Sequence, residues 1–191
     1  LSGMSDIAKL PGYEEVTPDL VEAILEEIGK LSEEVLAPLN QIGDQQGAKL
    51  ENGIVITADG FKEAYQQFVE GGWNSIIFEP EYGGQGLPSL ISTAVSETVQ
   101  AANMAFGLCP MLTQGAVELL TKHGSDRLKS IYLEKMVSGV WPGTMNLTEP
   151  SAGSDLGSIR TKALPDGDYY RISGTKVYIT FGEHDFSDNI V

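Results

Sequence analysis

The sequence is poor in cysteine and histidine, which build disulfides and many metal sites. Its 191 residues include one cysteine, Cys109, and two histidines that lie far apart, His123 and His184. An internal disulfide is excluded, no metal-ligand spacing is present, and an intracellular, cytoplasmic protein is the expectation. Long apolar runs are also missing, since none approaches the roughly 18 residues of a membrane-spanning helix. The N-terminus lacks the basic segment and apolar block of a secretory signal.

Basic residues are scarce as well. The chain has 12 Lys and Arg against 27 Asp and Glu, so its formal net charge is −15. This balance disfavours nucleic acids and anionic membrane surfaces as partners. It also repels polyanionic ligands at long range, so a site for a dinucleotide or a coenzyme must attract its ligand through local contacts. An apolar fraction of 41% and a charged fraction of 20% are ordinary for a globular protein.

The first part of the chain has helical periodicity. The longest amphipathic stretch covers 18–42, with Thr17 as its cap, and Pro38 is expected to kink its last turns. Further helical patterns follow at 59–72, 89–106, 111–123 and 126–137. Pro110 is expected to separate the second and third of these, and Ser125 is expected to cap the last.

After Gly139 the sequence favours β-structure. Short segments rich in β-branched and aromatic residues alternate with turn residues: WPGTMNLT, IRTKALP, YYRISG and KVYIT. The turn PDGD at 165–168 predicts a hairpin, whereas the earlier alternating piece 53–57 is expected to be an extended link. The expected fold class is α+β, with an N-terminal all-helical domain over 1–139 and the start of an antiparallel β-domain over 140–191. So short a β-region rarely closes a barrel or sandwich, and the sequence opens on Leu, so we expect part of a longer protein.

Several chemical motifs have simpler explanations. The loop with Gly84 and Gly86 follows an apolar run, as a dinucleotide fingerprint would, but a turn between two helices explains its glycines better. Ser154 is not in a nucleophile elbow. Glu149 is a candidate base, although a structural role is favoured, in which it accepts hydrogen bonds from backbone N–H groups at the following bend. The cluster Glu-His-Asp at 183–185 is expected in a solvated loop.

A different pattern occurs at 144–155, TMNLTEPSAGSD, which begins like a strand and then breaks. A planar cofactor with a polar edge needs donors along its heteroatoms, a flat packing surface and close backbone approach at its phosphates. Leu147 and Thr148 can offer N–H groups and a hydroxyl at the end of a strand. Gly153 permits close approach of the backbone, and Ser154 adds a donor.

The segment KVYIT at 176–180 offers complementary groups. Tyr178 and Thr180 are two residues apart, so they would share one face of a strand. An aromatic ring and a hydroxyl on one face could stack on one ring system and form a hydrogen bond to it.

These segments resemble the acyl-CoA dehydrogenase family. NLTEPSAGSDLGSIRTKA followed by YYRISGTKVYIT is similar to the family pattern T-E-P-x-A-G-S-D, a strand pair and G-x-K-x-(W/Y)-I-T. EPEYGGQGL looks like its P-E-x-Y-G-G-x-G segment, and EEVLAPLNQIGDQQG is similar to its first-helix region. Motifs in the right order thus touch most of residues 18–185. The GEHD ending resembles a longer subgroup that includes methylthiopropionyl-CoA dehydrogenase-like enzymes.

The resemblance implies an FAD site where the helical domain meets the β-domain. Thr148 would bond the pyrimidine edge of the isoalloxazine, Tyr178 would lie beside the ring, and Thr180 would place its hydroxyl near N5. Gly153 and Ser154 would approach the pyrophosphate, and Ser154 would also touch the acyl-CoA substrate. The full set of FAD-binding residues that the resemblance implies is Met145, Leu147, Thr148, Gly153, Ser154, Tyr178, Ile179 and Thr180.

The implied reaction is α,β-dehydrogenation of an acyl-CoA thioester, in which a carboxylate removes the α-proton and the β-hydride passes to the flavin. An electron-transfer flavoprotein would accept the electrons, and the full-length form would be a homo-oligomer. The family's catalytic glutamate lies in a C-terminal helical domain, and no residue here matches it, so this chain alone is expected to be inactive. Tyr178 and Phe181 replace the family's usual Trp and Asn, which leaves the acyl specificity open. The alternatives are an acyl-CoA oxidase and a non-catalytic scaffold with the same fold.

Overall fold

The computed structural model of the protein describes residues 3–191, and its first part is helical as predicted. The helices are α1 (Met4–Ile7), α2 (Pro18–Leu31), α3 (Ala37–Gln46), α4 (Phe61–Glu70), α5 (Ser89–His123) and α6 (Asp126–Val137). The strands are β1 (Lys49–Glu51), β2 (Ile54–Ile56), β3 (Lys162–Asp166) and β4 (Tyr169–Ser173), which form two separate antiparallel hairpins. The predicted α+β class, with an antiparallel β-region after the helices, is confirmed.

The predicted long N-terminal helix is present, but its geometry changes in the middle. The hydroxyl of Thr17 caps the helix by accepting a hydrogen bond from the Leu20 N–H at 3.2 Å, and Pro18 occupies the first turn. Between α2 and α3 the backbone forms a π-helical turn, Ser32–Leu36, which ends two residues before Pro38. Proline has no N–H to donate and crowds the preceding turn, so this local widening accommodates Pro38 without ending the helix.

The predicted break at Pro110 is wrong. The helix α5 continues through Pro110, and its non-helical residue is Asn103, with φ −156° and ψ 91°. The Asn103 Oδ1 accepts from the Phe106 N–H at 3.0 Å, and its Nδ2 donates to the Leu36 carbonyl at 3.2 Å. One amide therefore caps the second half of α5 and satisfies a carbonyl of the π-helical turn. Although α5 has 35 residues, neither it nor any other helix within residues 3–191 is long and apolar enough to cross a bilayer.

The main core lies where α2, α4 and α5 meet. Phe106 of α5 is fully buried among three aromatic side chains of α4, Phe61, Tyr65 and Phe68, at centroid distances of 5.7 to 6.5 Å. Phe186, from the C-terminal part of the chain, is also buried in this cluster. The residues that follow the predicted cofactor segments are therefore anchored in the helical core.

The β-region differs from the prediction in detail. The predicted turn at 165–168 forms the β3–β4 hairpin, in which Asp166 pairs with Tyr169 and Gly167 has a φ of +66°. The piece at 53–57 was expected to be a link, but Ile54–Ile56 pairs with β1 instead. Of the four strands predicted after Gly139, only the two of the hairpin form, because WPGTMNLT and KVYIT remain irregular.

One face of the β3–β4 hairpin is apolar and exposed. Ala163 pairs with Ile172 and Pro165 pairs with Tyr170, so the four side chains share a face. All four residues are exposed to solvent. The hairpin therefore projects from the helical core with this face uncovered.

Candidate functional site

The two segments predicted to face a cofactor lie side by side. Residues 144–148 run antiparallel to 177–180, because the Val177 N–H donates to the Thr148 carbonyl at 2.9 Å and the Thr144 hydroxyl donates to the Thr180 carbonyl at 2.7 Å. Within the described residues a single backbone–backbone hydrogen bond joins the segments, too few for a regular strand pair. Thr148 and Thr180 therefore lie on neighbouring segments, at opposite ends of the pair.

The predicted strand geometry around Tyr178 is wrong. Its φ is +57°, in the left-handed region that bulky residues rarely adopt. The alternation of a strand is lost there, so strand periodicity does not place Tyr178 and Thr180 on one face. The Tyr178 side chain is 90% exposed. Its ring is therefore open to a ligand, although not for the reason that the sequence suggested.

Several of the predicted cofactor residues have unused hydrogen-bond donors. Within residues 3–191, the N–H groups of Thr148, Gly153, Ser154 and Thr180 donate to no other backbone group or side chain, and the three hydroxyls likewise form no hydrogen bond. Thr148 is half-buried and the other three are exposed. A ligand with a row of acceptor atoms and an anionic group can use donors of this kind.

Gly153 has no side chain although the fold leaves room for one. A Cβ added there would meet nothing within 4 Å, and its φ is not positive. The chain's own packing therefore does not require glycine at this position. The space beside the Gly153 backbone is open, so an external group could approach it closely.

Apolar surface accompanies these donors. Met145 is 58% exposed, and Leu147 and Ile179 are half-buried on the same two segments. With the ring of Tyr178, they can cover the flat faces of a ring system. Donors, apolar cover and an open approach at Gly153 all fit FAD.

Glu149 is buried and bound by three donors. It accepts from the Arg160 N–H at 2.7 Å, the Thr161 N–H at 3.0 Å and the Lys176 Nζ at 2.9 Å. Hydrogen bonding from Thr161, then from the Arg160 amide and Lys176, lowers the pKa of Glu149 to about 2. A carboxylate with so low a pKa is a poor base. The favoured structural role, in which Glu149 satisfies backbone donors, is confirmed.

His184 is not in a solvated loop, so that prediction is wrong. It is buried, and the centroid of its ring lies 5.6 Å from the ring centroid of Phe181 and 4.9 Å from that of Phe186. Its Nδ1 accepts from the Phe186 N–H at 3.2 Å. Burial lowers the pKa of His184, although Asp185 and Glu183 act in the opposite direction. The aromatic residues on either side of His184 were the sequence signal for burial.

Asp185 ties the loop after Thr180 to the helical part of the chain. Its Oδ1 accepts from the Thr57 N–H at 3.2 Å and from the Thr57 hydroxyl at 2.7 Å. Thr57 directly follows β2. The C-terminal flank of the candidate site is therefore held by the β1–β2 hairpin, a contact between residues too distant in sequence for a local pattern to reveal.

The glycine loop before α5 is a turn, as the sequence favoured. The Gly84 N–H donates to the Glu79 carbonyl at 3.0 Å, and the Gly86 N–H donates to the Phe78 carbonyl at 2.9 Å. A Cβ on Gly84 would lie 2.0 Å from the Phe78 carbonyl oxygen. The glycines thus allow the loop to fold onto itself, and their N–H groups are not available to a phosphate.

Comparison with known proteins agrees with this site and fold. The family model described as "Acyl-CoA dehydrogenase, N-terminal domain" matches residues 19–140, more than half of the chain. Members of this class are FAD-dependent oxidoreductases. The chain belongs to the acyl-CoA dehydrogenase family, which confirms the predicted resemblance.

The similarity to individual known proteins covers more of this chain than the residues 19–140 that the family model matches. The 3-methylmercaptopropionyl-CoA dehydrogenase of Ruegeria pomeroyi is 52% identical over 192 residues, which cover 100% of this chain and 33% of that protein. A butyryl-CoA dehydrogenase of Syntrophomonas wolfei is 35% identical over 178 residues, covering 91% of this chain and 29% of that protein. The chain thus spans about a third of the length of these curated relatives.

Solved structures show the same fold. The butyryl-CoA dehydrogenase of Megasphaera elsdenii has a TM-score of 0.73 at 24% identity, over 87% of this chain and 42% of that one. A structure described as an electron transferring flavoprotein of Acidaminococcus fermentans also has a TM-score of 0.73, at 27% identity, over 87% of this chain and 41% of that one. The arrangement of helices and β-segments is therefore one that known proteins share.

Proposed function

We propose that this chain forms the N-terminal part of an FAD-dependent enzyme that dehydrogenates an acyl-CoA thioester between its α- and β-carbons. The observation that carries the proposal is the set of unused donors at Thr148, Gly153, Ser154 and Thr180, grouped on segments that pack side by side or follow them directly. The names of the two curated relatives both specify short acyl groups. We therefore favour a short acyl-CoA as substrate, in fatty acid metabolism.

The proposed site assigns a task to each segment. When FAD is bound, the Thr148 N–H and hydroxyl would bond the pyrimidine edge of the isoalloxazine, and Thr180 would offer its hydroxyl to the same ring system. The backbone at Gly153 and Ser154 would approach the pyrophosphate, and Ser154 would also contact acyl-CoA. Tyr178 covers the ring. Donors whose direction is fixed before the ligand arrives provide electrostatic preorganisation.

Apolar residues complete the proposed pocket. Met145, Leu147 and Ile179 exclude water from the isoalloxazine, which strengthens the hydrogen bonds formed there. FAD, when bound, supplies the capacity to accept a hydride from the β-carbon. The residues of this chain contribute binding and orientation.

The remaining parts of the proposed enzyme lie outside this chain. No carboxylate in residues 1–191 matches the family's catalytic glutamate, so we place the base that removes the α-proton in a further domain. In this proposal 1–139 is the helical domain and 140–191 is the beginning of the β-domain. We further propose a cytoplasmic homo-oligomer that passes its electrons to an electron-transfer flavoprotein.

The test is anaerobic reduction of the purified full-length protein. We expect it to contain FAD and to lose its oxidised-flavin absorbance when butyryl-CoA or 3-methylmercaptopropionyl-CoA is added without oxygen. Slow recovery after oxygen is admitted supports a dehydrogenase, whereas rapid recovery with formation of hydrogen peroxide indicates an oxidase instead. A colourless protein that takes up no added FAD contradicts the proposal and indicates a scaffold.

A further inference from the structure

Lys176 bridges the two segments that carry the proposed site. Its Nζ donates to the Leu147 carbonyl at 2.9 Å and to the Glu149 carboxylate at 2.9 Å. The Lys176 side chain is 22% exposed and that of Glu149 is 4% exposed. The ammonium is thereby fixed to the residues immediately before and after Thr148.

Glu149 extends this connection to the β3–β4 hairpin. Its carboxylate accepts from the N–H groups of Arg160 and Thr161, directly before β3. Its own backbone N–H and carbonyl exchange hydrogen bonds with Ala152, each at 3.0 Å. A buried carboxylate is stable only when it is paired and hydrogen-bonded. The ion pair therefore holds three stretches of chain together.

Gly174 lets the stretch of chain that carries Lys176 pass close to Thr161. A Cβ at this position would lie 2.1 Å from the Thr161 Oγ1. With glycine there, the backbone after β4 passes against Thr161, and Lys176 reaches Glu149 two residues later. The ion pair thus depends on a close approach that a larger residue would block.

These contacts fix the orientation of the peptide groups on both sides of the Thr148 donors. The Leu147 carbonyl is bound by Lys176, and the Thr148 carbonyl is bound by the Val177 N–H at 2.9 Å. The Thr148 N–H and hydroxyl make no hydrogen bond within residues 3–191. Both peptide units beside the free donors are therefore oriented by the stretch 176–177.

We propose that Glu149 and Lys176 are positioning residues of the FAD site. In this proposal neither residue contacts the cofactor, and their ion pair sets the direction in which Thr148 presents its donors. The inference rests on the proposed function, since it assumes that Thr148 binds FAD. Small displacements of such groups have large effects on affinity and rate.

The test uses the full-length protein and its apoprotein. Lys176→Met and Glu149→Gln are each expected to weaken FAD binding about tenfold or more, as measured by titration of the apoprotein. The absorption spectrum of the FAD-saturated variants should also shift. Lys176→Arg keeps the charge and should restore most of the affinity. Lys162→Met is the matched control, because Lys162 is an exposed residue of β3 with no ion pair among the described residues.

A double variant adds a second criterion. If the two residues act only through their ion pair, Glu149→Gln with Lys176→Met should weaken FAD binding no more than the worse single variant. Additive losses contradict this. If Lys176→Met yields no folded protein, Glu149→Gln decides by the same measurements: FAD binding weaker than that of the wild type supports the inference, and wild-type binding contradicts it.

One outcome would overturn the inference while leaving the proposed function intact. The variants would melt at lower temperature, yet once saturated with FAD they would have the wild-type dissociation constant, spectrum and kcat. The ion pair would then be structural only. A wild-type protein that binds no FAD, in contrast, refutes the proposed function itself.

Discussion

Phe186 stacks on Tyr65, with ring centroids 5.0 Å apart and planes inclined by 18°. Tyr65 belongs to α4, and its hydroxyl donates to the Gly139 carbonyl at 2.8 Å. Phe186 lies six residues beyond Thr180. The pair therefore joins the helical core to the chain that leaves the candidate site, so the site depends on packing that is remote from its donors.

Phe186→Ala is expected to destabilise the protein by about 3–5 kcal/mol, because the side chain is buried in the aromatic cluster and its removal leaves a cavity. The shift in the midpoint of thermal or urea unfolding measures this effect. Leu119→Ala is the control, since Leu119 is 62% exposed on α5 and should change stability by less than about 0.5 kcal/mol. Similar losses in both variants contradict an anchoring role for Phe186.

Gly153→Ala is expected to separate folding from FAD binding. The melting temperature of the apoprotein should not change, because the new Cβ meets nothing within 4 Å. FAD affinity should fall about tenfold, because the methyl group occupies the path of the phosphates. Gly29→Ala in α2, which also has open space around it, should leave FAD affinity unchanged. Wild-type affinity in Gly153→Ala would rule out close approach at this residue.

Thr148→Val removes a hydroxyl at constant shape. We expect FAD binding to weaken about threefold to tenfold, since one hydrogen bond is worth about 1 kcal/mol. Fluorescence titration of the apoprotein measures the change. Thr175→Val is a matched control, because Thr175 is exposed on the neighbouring segment and outside the proposed contacts. An equal loss in both variants argues against a direct bond from Thr148.

Stability should depend on the ionisation of Glu149. Because its pKa is lowered from 4.5 to about 2, the ionised form is favoured in the folded state. This contribution is fully present above about pH 4.5 and is lost as the pH falls towards 2. The difference in melting temperature between the wild type and Glu149→Gln should therefore shrink across that window. A constant difference means that the carboxylate charge does not stabilise the fold.

Asn103→Ala should destabilise the protein by about 1–3 kcal/mol, because it leaves the Phe106 N–H and the Leu36 carbonyl without their partner. Unfolding midpoints measure the loss. Asn40→Ala, at an exposed position of α3, should be neutral or slightly stabilising, since alanine favours helices. If Asn103→Ala is equally neutral, the bridge between α5 and the π-helical turn contributes nothing.

The sequence predicted the features that depend on neighbouring residues. The caps at Thr17 and Ser125 bond to N–H groups three residues away, and the turn at Gly167 needs only the local φ that glycine allows. The break in α5 was misplaced because its cause is a contact between Asn103 and Leu36, which are 67 residues apart. Pro110 was the local signal for a break, but the contact between Asn103 and Leu36 places the break at Asn103 instead.

In the candidate site, too, the features set by neighbouring residues were predicted and those set by distant contacts were not. The donors at Thr148 and Ser154 were proposed from a short motif, and the structure leaves both unused within the described residues. The strand predicted around Tyr178 did not form, because a strand requires a ladder of partners as well as β-favouring residues. The bond from Lys176 to Leu147 spans 29 residues, and no periodicity in the sequence indicated it.

The exposed face of the β3–β4 hairpin has a consequence for handling the protein. This exposed apolar surface lies beside strand edges that have no partner among the described residues. It consists of Ala163, Pro165, Tyr170 and Ile172. Such surfaces readily recruit other copies of themselves. A preparation limited to these 191 residues should aggregate as its concentration rises, and covering this face of the hairpin should prevent the aggregation.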